Sequence, residues 1–379
     1  MIEMTRASGQ SRTSQDQRAV AGRLGYTHGP LTWSTLLVGV LLWLLAVTAH
    51  TALAIESGVV DSTGSPVEPP AVMELPAVSL APPPSNTSSL WGSETATVDN
   101  FDFDGLPGRL ADLELRPLWR EGLQFERAER LLESSERYER IVAQVPEESF
   151  TYWRLARNYW RAGESLPADA VEERLSYFKR AERWAARGIA VDEECAPCML
   201  WQFVSMGRQA TTEGIWTAAR YAKEMSKLVE HGIALEPDHQ DDPGNSVLGN
   251  LYYSGAVFYR FVPDSWWVKL LIGVRGDLDH SLDLIRHAVE ISEQRVDYRV
   301  ELGTVLLCKG IRKKDASAVS EGIEVLEAAR RLPPYLSTDH LDIEHAGTLI
   351  ENPKLACGYS RDGFIDMDEV VQRAKVSSR

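Results

Sequence analysis

Apolar positions recur along the chain in one pattern that occurs five times. Five segments share a helical register that ends at an aliphatic residue: Tyr138–Glu148, Trp184–Glu194, Leu228–Asp238, Leu284–Gln294 and Val325–Tyr335. The shared aliphatic residues are spaced by 46, 44, 56 and 41 positions: Val145, Val191, Leu235, Ile291 and Leu332. Three residues earlier, every copy except the one with Val142 has a small residue: Gly188, Gly232, Ala288 and Ala329. A unit that repeats at roughly this interval predicts a solenoid of stacked repeats.

Three- and four-residue steps between apolar residues predict helices from Pro117 onward. The register of Trp119, Leu123, Leu131 and Tyr138 predicts one long first helix. Further helices are predicted in pairs: Phe150–Gly163 with Ala170–Val191, Met199–Arg208 with Trp216–Leu235, Ser246–Arg260 with His280–Ile291, and Tyr298–Lys309 with Ala318–Leu332. Asp339–Glu351 is predicted to be a terminal cap. The expected fold class is all-α, a right-handed solenoid of helical hairpins.

The N-terminal part of the chain resembles a targeting segment. Leu36–Val47 is an apolar run that follows Arg-bearing sequence, and Ala52-Leu53-Ala54 matches a small-x-small cleavage site. Two interpretations stay open for residues 1–54: a cleaved signal peptide, or an uncleaved membrane anchor. Either interpretation predicts a periplasmic protein, or one anchored in the inner membrane that faces the periplasm.

Composition divides the rest of the chain in two. Residues 55–104 are rich in Pro, Ser and Thr without a helical period, which predicts a disordered linker before a helical-repeat domain at 105–379. The formal net charge is −15, and because residues 1–54 carry +2, the remainder carries −17. Such a surface repels phosphate backbones, so we expect no nucleic-acid partner.

Two resemblances follow from motifs in the helices. Tyr152, Leu155, Ala156 and Tyr159 resemble the first helix of a tetratricopeptide repeat. Three features follow one another along the chain: the motif Trp153–Arg157, then Trp201 and Gly207 before the segment Gly232–Asp238, then the insertion Phe258–Asp277. In this order they resemble the layout of the regulator of microtubule dynamics family and of the T-component family of TRAP transporters. The resemblance implies a non-enzymatic helical scaffold with a hydrophobic pocket or channel. It further implies lipid or small hydrophobic ligands and a partner protein.

The insertion Phe258–Asp277 concentrates large apolar side chains between two repeat helices. Three interpretations stay open for it: a packing plug, the lining of a ligand cavity, or a surface that docks on a membrane or partner. The predicted ligand-binding residues come from this insertion and from aromatic positions of the repeats: Trp153, Trp201, Tyr252, Tyr253, Phe258, Trp266, Trp267 and Leu270.

The four cysteines suggest disulfide chemistry. Cys195 and Cys198 form a C-x-x-C between two helices, for which we expect a local disulfide, with redox and zinc roles as alternatives. Cys308 is expected in a helix core, and Cys357 is either free or paired with it. His239 begins an acidic turn that is expected to be solvated. Carboxylates among arginines, as in Glu126–Arg130, are interpreted as solvated ion-pair ladders.

Motifs for catalysis, metal ligation or cofactor binding are missing from the sequence, so we expect no enzyme, metal or cofactor. The predicted function is that of an envelope-located helical-repeat binding protein that handles a hydrophobic ligand or lipid in a pocket formed by the repeats. The alternative is a pure protein–protein interaction scaffold of an envelope or transporter complex. The expected partners are a protein of the cell envelope and a lipid or hydrophobic small molecule, with association to the membrane.

Overall fold

The computed structural model describes residues 106–167, 169–242, 245–336, 338–361 and 363–364. Its α-helices are α1 (Arg116–Arg127), α2 (Leu131–Gln144), α3 (Phe150–Glu164), α4 (Val171–Val191), α5 (Ala196–Glu213), α6 (Ile215–Ala234), α7 (Val247–Phe261), α8 (Trp266–Ile272), α9 (Leu278–Ile291), α10 (Val296–Lys313), α11 (Ala316–Ala329) and α12 (Asp339–Glu351). The predicted signal or anchor at 1–54 and linker at 55–104 lie outside the described residues, so both stay predictions, as does the domain boundary at 105.

Helices that follow one another along the chain pack against one another, from α1 with α2 to α11 with α12. The one interruption is α8, which is inserted between α7 and its partner α9. The prediction of an all-α solenoid of helical hairpins is confirmed. None of the helices in the described part of the chain is long and apolar enough to cross a membrane.

The small residues of the repeated pattern lie where one hairpin packs on the next. A Cβ on Gly188 of α4 would lie 2.5 Å from the Sγ of Cys198 in α5. A Cβ on Gly232 of α6 would lie 3.0 Å from both terminal methyls of Leu251 in α7. Ala288 and Ala329 are completely buried. Close approach of successive hairpins therefore explains why this position of the repeated pattern has small residues, and we call this position the small column.

The prediction of one long helix from Pro117 was wrong, because a turn separates α1 from α2. Glu129 adopts a left-handed backbone conformation with φ 55°. The amide of Arg130 donates to the carbonyl of Phe125 at 2.9 Å, and that of Glu129 to the carbonyl of Glu126 at 3.2 Å. This pair of bonds is the Schellman arrangement that ends helices. The chain reverses here, which brings Gly122 of α1 against the ring of Tyr138 in α2.

Short ribbons and a C-terminal segment complete the described fold. Strands β1 (Gln240–Asp242) and β2 (Asn245–Ser246) pair antiparallel before α7, and β3 (Tyr359–Ser360) pairs with β4 (Gly363–Phe364). The predicted cap is helix α12. A 3₁₀ helix then packs Pro353–Gly358 on α10.

Candidate functional site

Helix α8 presents large apolar side chains to solvent. Trp266, Trp267, Leu270 and Leu271 are 74%, 42%, 76% and 72% exposed, and we call these four residues the α8 surface. Five other large apolar residues of the described chain are exposed, and they are scattered: Leu113, Val171, Val191, Ile291 and Leu341. Within the described residues, the α8 surface is therefore the place where exposed large apolar side chains are concentrated.

The opposite side of α8 anchors the helix to the body of the molecule. Val268 is buried, and Ile272 packs against the central apolar cluster. The segment that follows closes tightly on the end of α7: the amide of Gly276 donates to the carbonyl of Pro263 at 3.2 Å, and that of Asp277 to the carbonyl of Tyr259 at 3.1 Å. Since any Cβ at Gly276 would collide with the carbonyl oxygen of Val262, only glycine fits there.

The structure separates the eight predicted ligand-binding residues into three places. Trp153 and Trp201 are buried in a cluster between α3, α4 and α5. Tyr252, Tyr253 and Phe258 belong to the central cluster, where Tyr253 stacks on Tyr298 with ring centroids 5.4 Å apart. Trp266, Trp267 and Leu270 point to solvent on α8. These side chains do not line one shared cavity.

A cleft of about 240 Å³ lies beside Trp153, at the ends of α3 and α5. Its walls combine aromatic, proline and acidic side chains: Pro107, Ser149, Phe150, Trp153, Asp192, Glu194, Cys195, Ala196, Pro197, Pro237 and His239. The ring of His239 stands edge-on to Trp153, with centroids 5.2 Å apart. Burial, with a further contribution from Arg154, lowers the pKa of His239. His239 is thus an aromatic wall of the cleft, whereas the sequence had suggested a solvated turn.

Both pairs of cysteines are disulfides in the structure. Cys195–Cys198 lies at the start of α5, where the Cys195 Sγ accepts a hydrogen bond from the Cys198 amide at 3.2 Å. Both residues are buried, an environment typical of structural rather than reactive cysteines. The second disulfide joins Cys308 of α10 to Cys357, which holds the C-terminal 3₁₀ helix on α10.

A buried ion-pair cluster corrects the interpretation of Glu126 as part of a solvated ladder. Glu126 is buried and accepts hydrogen bonds from the Tyr138 hydroxyl at 2.7 Å and from Arg154 Nη1 at 3.4 Å. Arg157 also contacts Glu126, and the Arg154 guanidinium lies 4.7 Å from the ring centroid of Trp153. The arginines of the WRLAR motif therefore serve to join α3 to α1.

A second buried charge cluster, which sequence reasoning missed, holds the C-terminal segment. Arg260 of α7 donates to both carboxylate oxygens of Glu301, at 2.6 and 2.9 Å, and to the carbonyl of Tyr359 at 3.0 Å. Arg361 forms ion pairs with Asp342 at 3.1 Å and with Asp297 at 3.7 Å. The sequence feature that could have predicted this cluster is Arg260, a charged residue within an apolar helical stretch.

Comparisons with known proteins find a family model and solved structures that are similar to this chain. The family model of regulator of microtubule dynamics protein 1-3 matches residues 121–259. A thermophilic TPR protein from Thermus thermophilus is 16% identical, covering 62% of this chain and 100% of its own, with a TM-score of 0.39. A monomeric mutant of IFIT1 with m7Gppp-AAAA is 14% identical, covering 70% of this chain and 51% of its own, with a TM-score of 0.41.

Comparison with curated proteins finds no match. The resemblance to the TRAP T-component family stays a prediction. The family model spans α2 to α6 in full, with parts of α1 and α7. It thus covers the helices that carry the WRLAR motif and the middle repeats. The chain is an all-α protein of stacked helical hairpins that resembles the regulator of microtubule dynamics family over residues 121–259.

Proposed function

We propose that this chain is a non-enzymatic helical-repeat scaffold of the cell envelope that holds a protein partner. The observation that carries the proposal is the filled interior of the repeats. The residues that the sequence suggested for a hydrophobic pocket pack against one another or point outward, rather than around one cavity. A solenoid with a packed core offers its outer surfaces for binding, which is the usual use of this architecture.

Location in the cell envelope is supported by the cysteines. All four cysteines of the chain are paired, and disulfides persist in oxidising compartments rather than in the cytosol. The predicted signal or anchor at residues 1–54 points to the same compartment. The disulfides belong to the folded repeats and the predicted signal or anchor to the N-terminal sequence, so the two features support this location independently.

Native mass spectrometry of the purified full-length chain, followed by organic extraction, tests the scaffold proposal. We expect the polypeptide mass without a stoichiometric small molecule, and a defined complex with one envelope protein after crosslinking in cells. A lipid that co-purifies at one copy per chain in repeated preparations would overturn the scaffold in favour of a lipid carrier.

Alkylation of thiols in cells that are denatured in the presence of the alkylating agent tests the location, because the buried side chains of Cys195, Cys198 and Cys308 would resist the reagent in the folded protein whether or not they were oxidised. In an oxidising compartment, all four cysteines should resist alkylation until a reductant is added, because each is held in a disulfide. The readout is the mass shift of the full-length chain with and without reduction. Four alkylated cysteines without reduction would contradict the envelope location.

The cleft beside Trp153 supports a second candidate function, the binding of a small apolar or aromatic molecule. Its volume of about 240 Å³ is too small for a lipid and suits a single ring or a short aliphatic group. In the same mass-spectrometric experiment, this function predicts a small co-purifying molecule. Loss of that molecule from a folded Phe150→Ala variant would assign it to the cleft.

A further inference from the structure

The α8 surface is an unpartnered apolar face with a regular geometry. Its four residues occupy positions i, i+1, i+4 and i+5 of the helix, which fall within one arc of the helical wheel. Val268 and Ile272 lie on the other side and pack into the molecule. The tight closure at Gly276 holds the segment against the end of α7, so the exposed side chains are presented outward from a fixed base.

We propose that the α8 surface binds the interfacial region of a lipid bilayer that contains anionic lipids. Tryptophan prefers this region because its large apolar ring and its polar N–H fit the boundary between acyl chains and headgroups. Two adjacent tryptophans with two leucines one turn later therefore form a suitable insertion face. Binding of α8 to a bilayer is independent of the proposed scaffold function.

Basic side chains accompany the α8 surface although the chain as a whole is acidic. Lys269 lies within α8 and is exposed, and Arg275 follows shortly after it. The side chain of Lys223 from α6 lies against Gly273, at the end of α8. Asp264 is the acidic group that pairs with Arg275, at 3.9 Å. With one of the three cations paired to Asp264, an excess of two positive charges lies beside the apolar face and complements the negative charge of anionic headgroups.

The size of the α8 surface suits insertion into a bilayer without further contacts, whereas a second copy of this chain would have to bury neighbouring residues as well. Four side chains at these exposures offer about 500 Å² of surface, less than the roughly 800 Å² per partner of a standard protein–protein interface. Insertion into a bilayer has no such minimum area, because each apolar group that enters the interface contributes independently.

The test uses the full-length chain with one introduced cysteine, Leu270→Cys, labelled with the environment-sensitive dye NBD. The native cysteines are paired in disulfides, so the label goes to the new thiol. The probe membranes are vesicles of phosphatidylcholine with phosphatidylglycerol, and vesicles of phosphatidylcholine alone. We expect a blue shift of NBD emission with the anionic vesicles, and quenching of the emission by brominated lipids.

Leu113→Cys with the same label is the matched control, because Leu113 is as exposed as Leu270 but lies outside α8. Its emission should not change with vesicles, even if the N-terminal apolar segment brings the whole chain to the membrane. Lys269→Glu should lower the ratio of docked to undocked α8 by about fivefold or more, since one basic residue near an anionic surface contributes about 1 kcal/mol.

Two results would overturn the proposal. One is an unchanged NBD spectrum at position 270 with both kinds of vesicle. The other is a blue shift without vesicles that grows with protein concentration, which would assign the α8 surface to a contact between copies of the chain. Circular dichroism of each labelled variant shows that the helices are retained.

Discussion

The contribution of an individual charged residue to the stability of this protein depends more on its burial than on its residue type. Glu126 and Glu133 lie seven positions apart in similar charged sequence. Glu126 is buried among Tyr138, Arg154 and Arg157, whereas Glu133 forms an exposed pair with Arg130. Removing one partner of a buried ion pair costs far more stability than removing one partner of an exposed pair, because the remaining charge is left buried without a counter-ion.

We therefore expect Glu126→Gln to lower the free energy of unfolding by about 3–5 kcal/mol. The matched control, Glu133→Gln, should change it by less than about 1 kcal/mol. Urea denaturation followed by circular dichroism measures both. Equal effects of the two substitutions would show that the Glu126 cluster does not stabilise the fold.

Glycines at two helical positions should respond to alanine with opposite sign. A Cβ on Gly188 would meet the Sγ of Cys198 at 2.5 Å and the Cβ of Tyr152 at 2.9 Å, so Gly188→Ala should cost about 1–3 kcal/mol through overpacking. A Cβ on Gly207 would meet only Met225, at 3.6 Å, so Gly207→Ala should stabilise the protein by up to about 1 kcal/mol through helix propensity. The two thermal unfolding midpoints check the pair, and a shift in the same direction for both would contradict it.

At the scale of elements, the repeated pattern marks where helices end and where hairpins meet. The small column lies between hairpins, as at Gly188 and Gly232. The shared aliphatic residues of the pattern lie at helix ends and are not uniformly buried: Val145 is completely buried, whereas Val191 and Ile291 are exposed. The small residues of the pattern are therefore the more consistent record of packing between repeats, whereas the aliphatic residues pack there in some copies only.

The two disulfides should contribute unequally to stability. Cys308–Cys357 spans 49 residues and Cys195–Cys198 spans 3, and the entropy that a cross-link removes from the unfolded chain grows with the loop it closes. Replacing both residues of the long pair by alanine should cost about 4 kcal/mol, against about 2 kcal/mol for the short pair. Guanidinium denaturation of the two double variants measures the difference. An equal loss for both pairs would indicate that strain or packing, rather than loop closure, sets their contributions.

Substitutions on the buried and the exposed face of helix α8 should affect the stability of the protein differently. Val268→Ala removes buried methyl groups and should lower the free energy of unfolding by about 1–3 kcal/mol. Trp266→Ala changes a side chain that is mostly in water, so we expect a change within about 0.5 kcal/mol. Denaturation midpoints of the two variants test the assignment. A larger loss for Trp266→Ala would mean that this indole packs against the fold.

At the scale of the whole molecule, contacts between helices that are distant in sequence connect the repeats. His239 follows α6, yet its ring packs against Phe150 and Trp153 of α3. Arg260 of α7 reaches Glu301 of α10 and the backbone of the C-terminal segment. Such contacts join successive hairpins, and the C-terminal segment, through residues that lie far apart in sequence, so the repeats do not act as separate units.

The contact of His239 predicts a dependence of stability on pH. Burial lowers the folded pKa of His239 below its ordinary value of 6.5, so the unfolded chain binds this proton more readily. The contribution of His239 to stability is therefore present above about pH 6.5 and is lost as pH falls below it. His239→Phe, which keeps an aromatic ring in the contact, should make stability vary less with pH.

Urea midpoints at about pH 7.5 and about pH 5.5 compare the wild type with His239→Phe on both sides of the ordinary histidine pKa. His287→Phe, at an exposed histidine on α9, controls for the loss of an imidazole. The expected result is a smaller difference between the two midpoints in His239→Phe than in either of the other proteins. An unchanged difference would contradict the link between His239 and stability.

The sequence by itself determined the fold class, the number of predicted hairpins after Phe150 and the approximate ends of their helices, because apolar periodicity and helix-ending residues act over a few positions. It failed at the break after Arg127, because the left-handed turn at Glu129 occurs at a residue that rarely adopts it. Only the tertiary structure decided which charges are buried, which aromatic residues meet and which side of α8 faces water. Those outcomes depend on contacts between residues far apart in sequence, such as His239 with Trp153, and no local pattern encodes them.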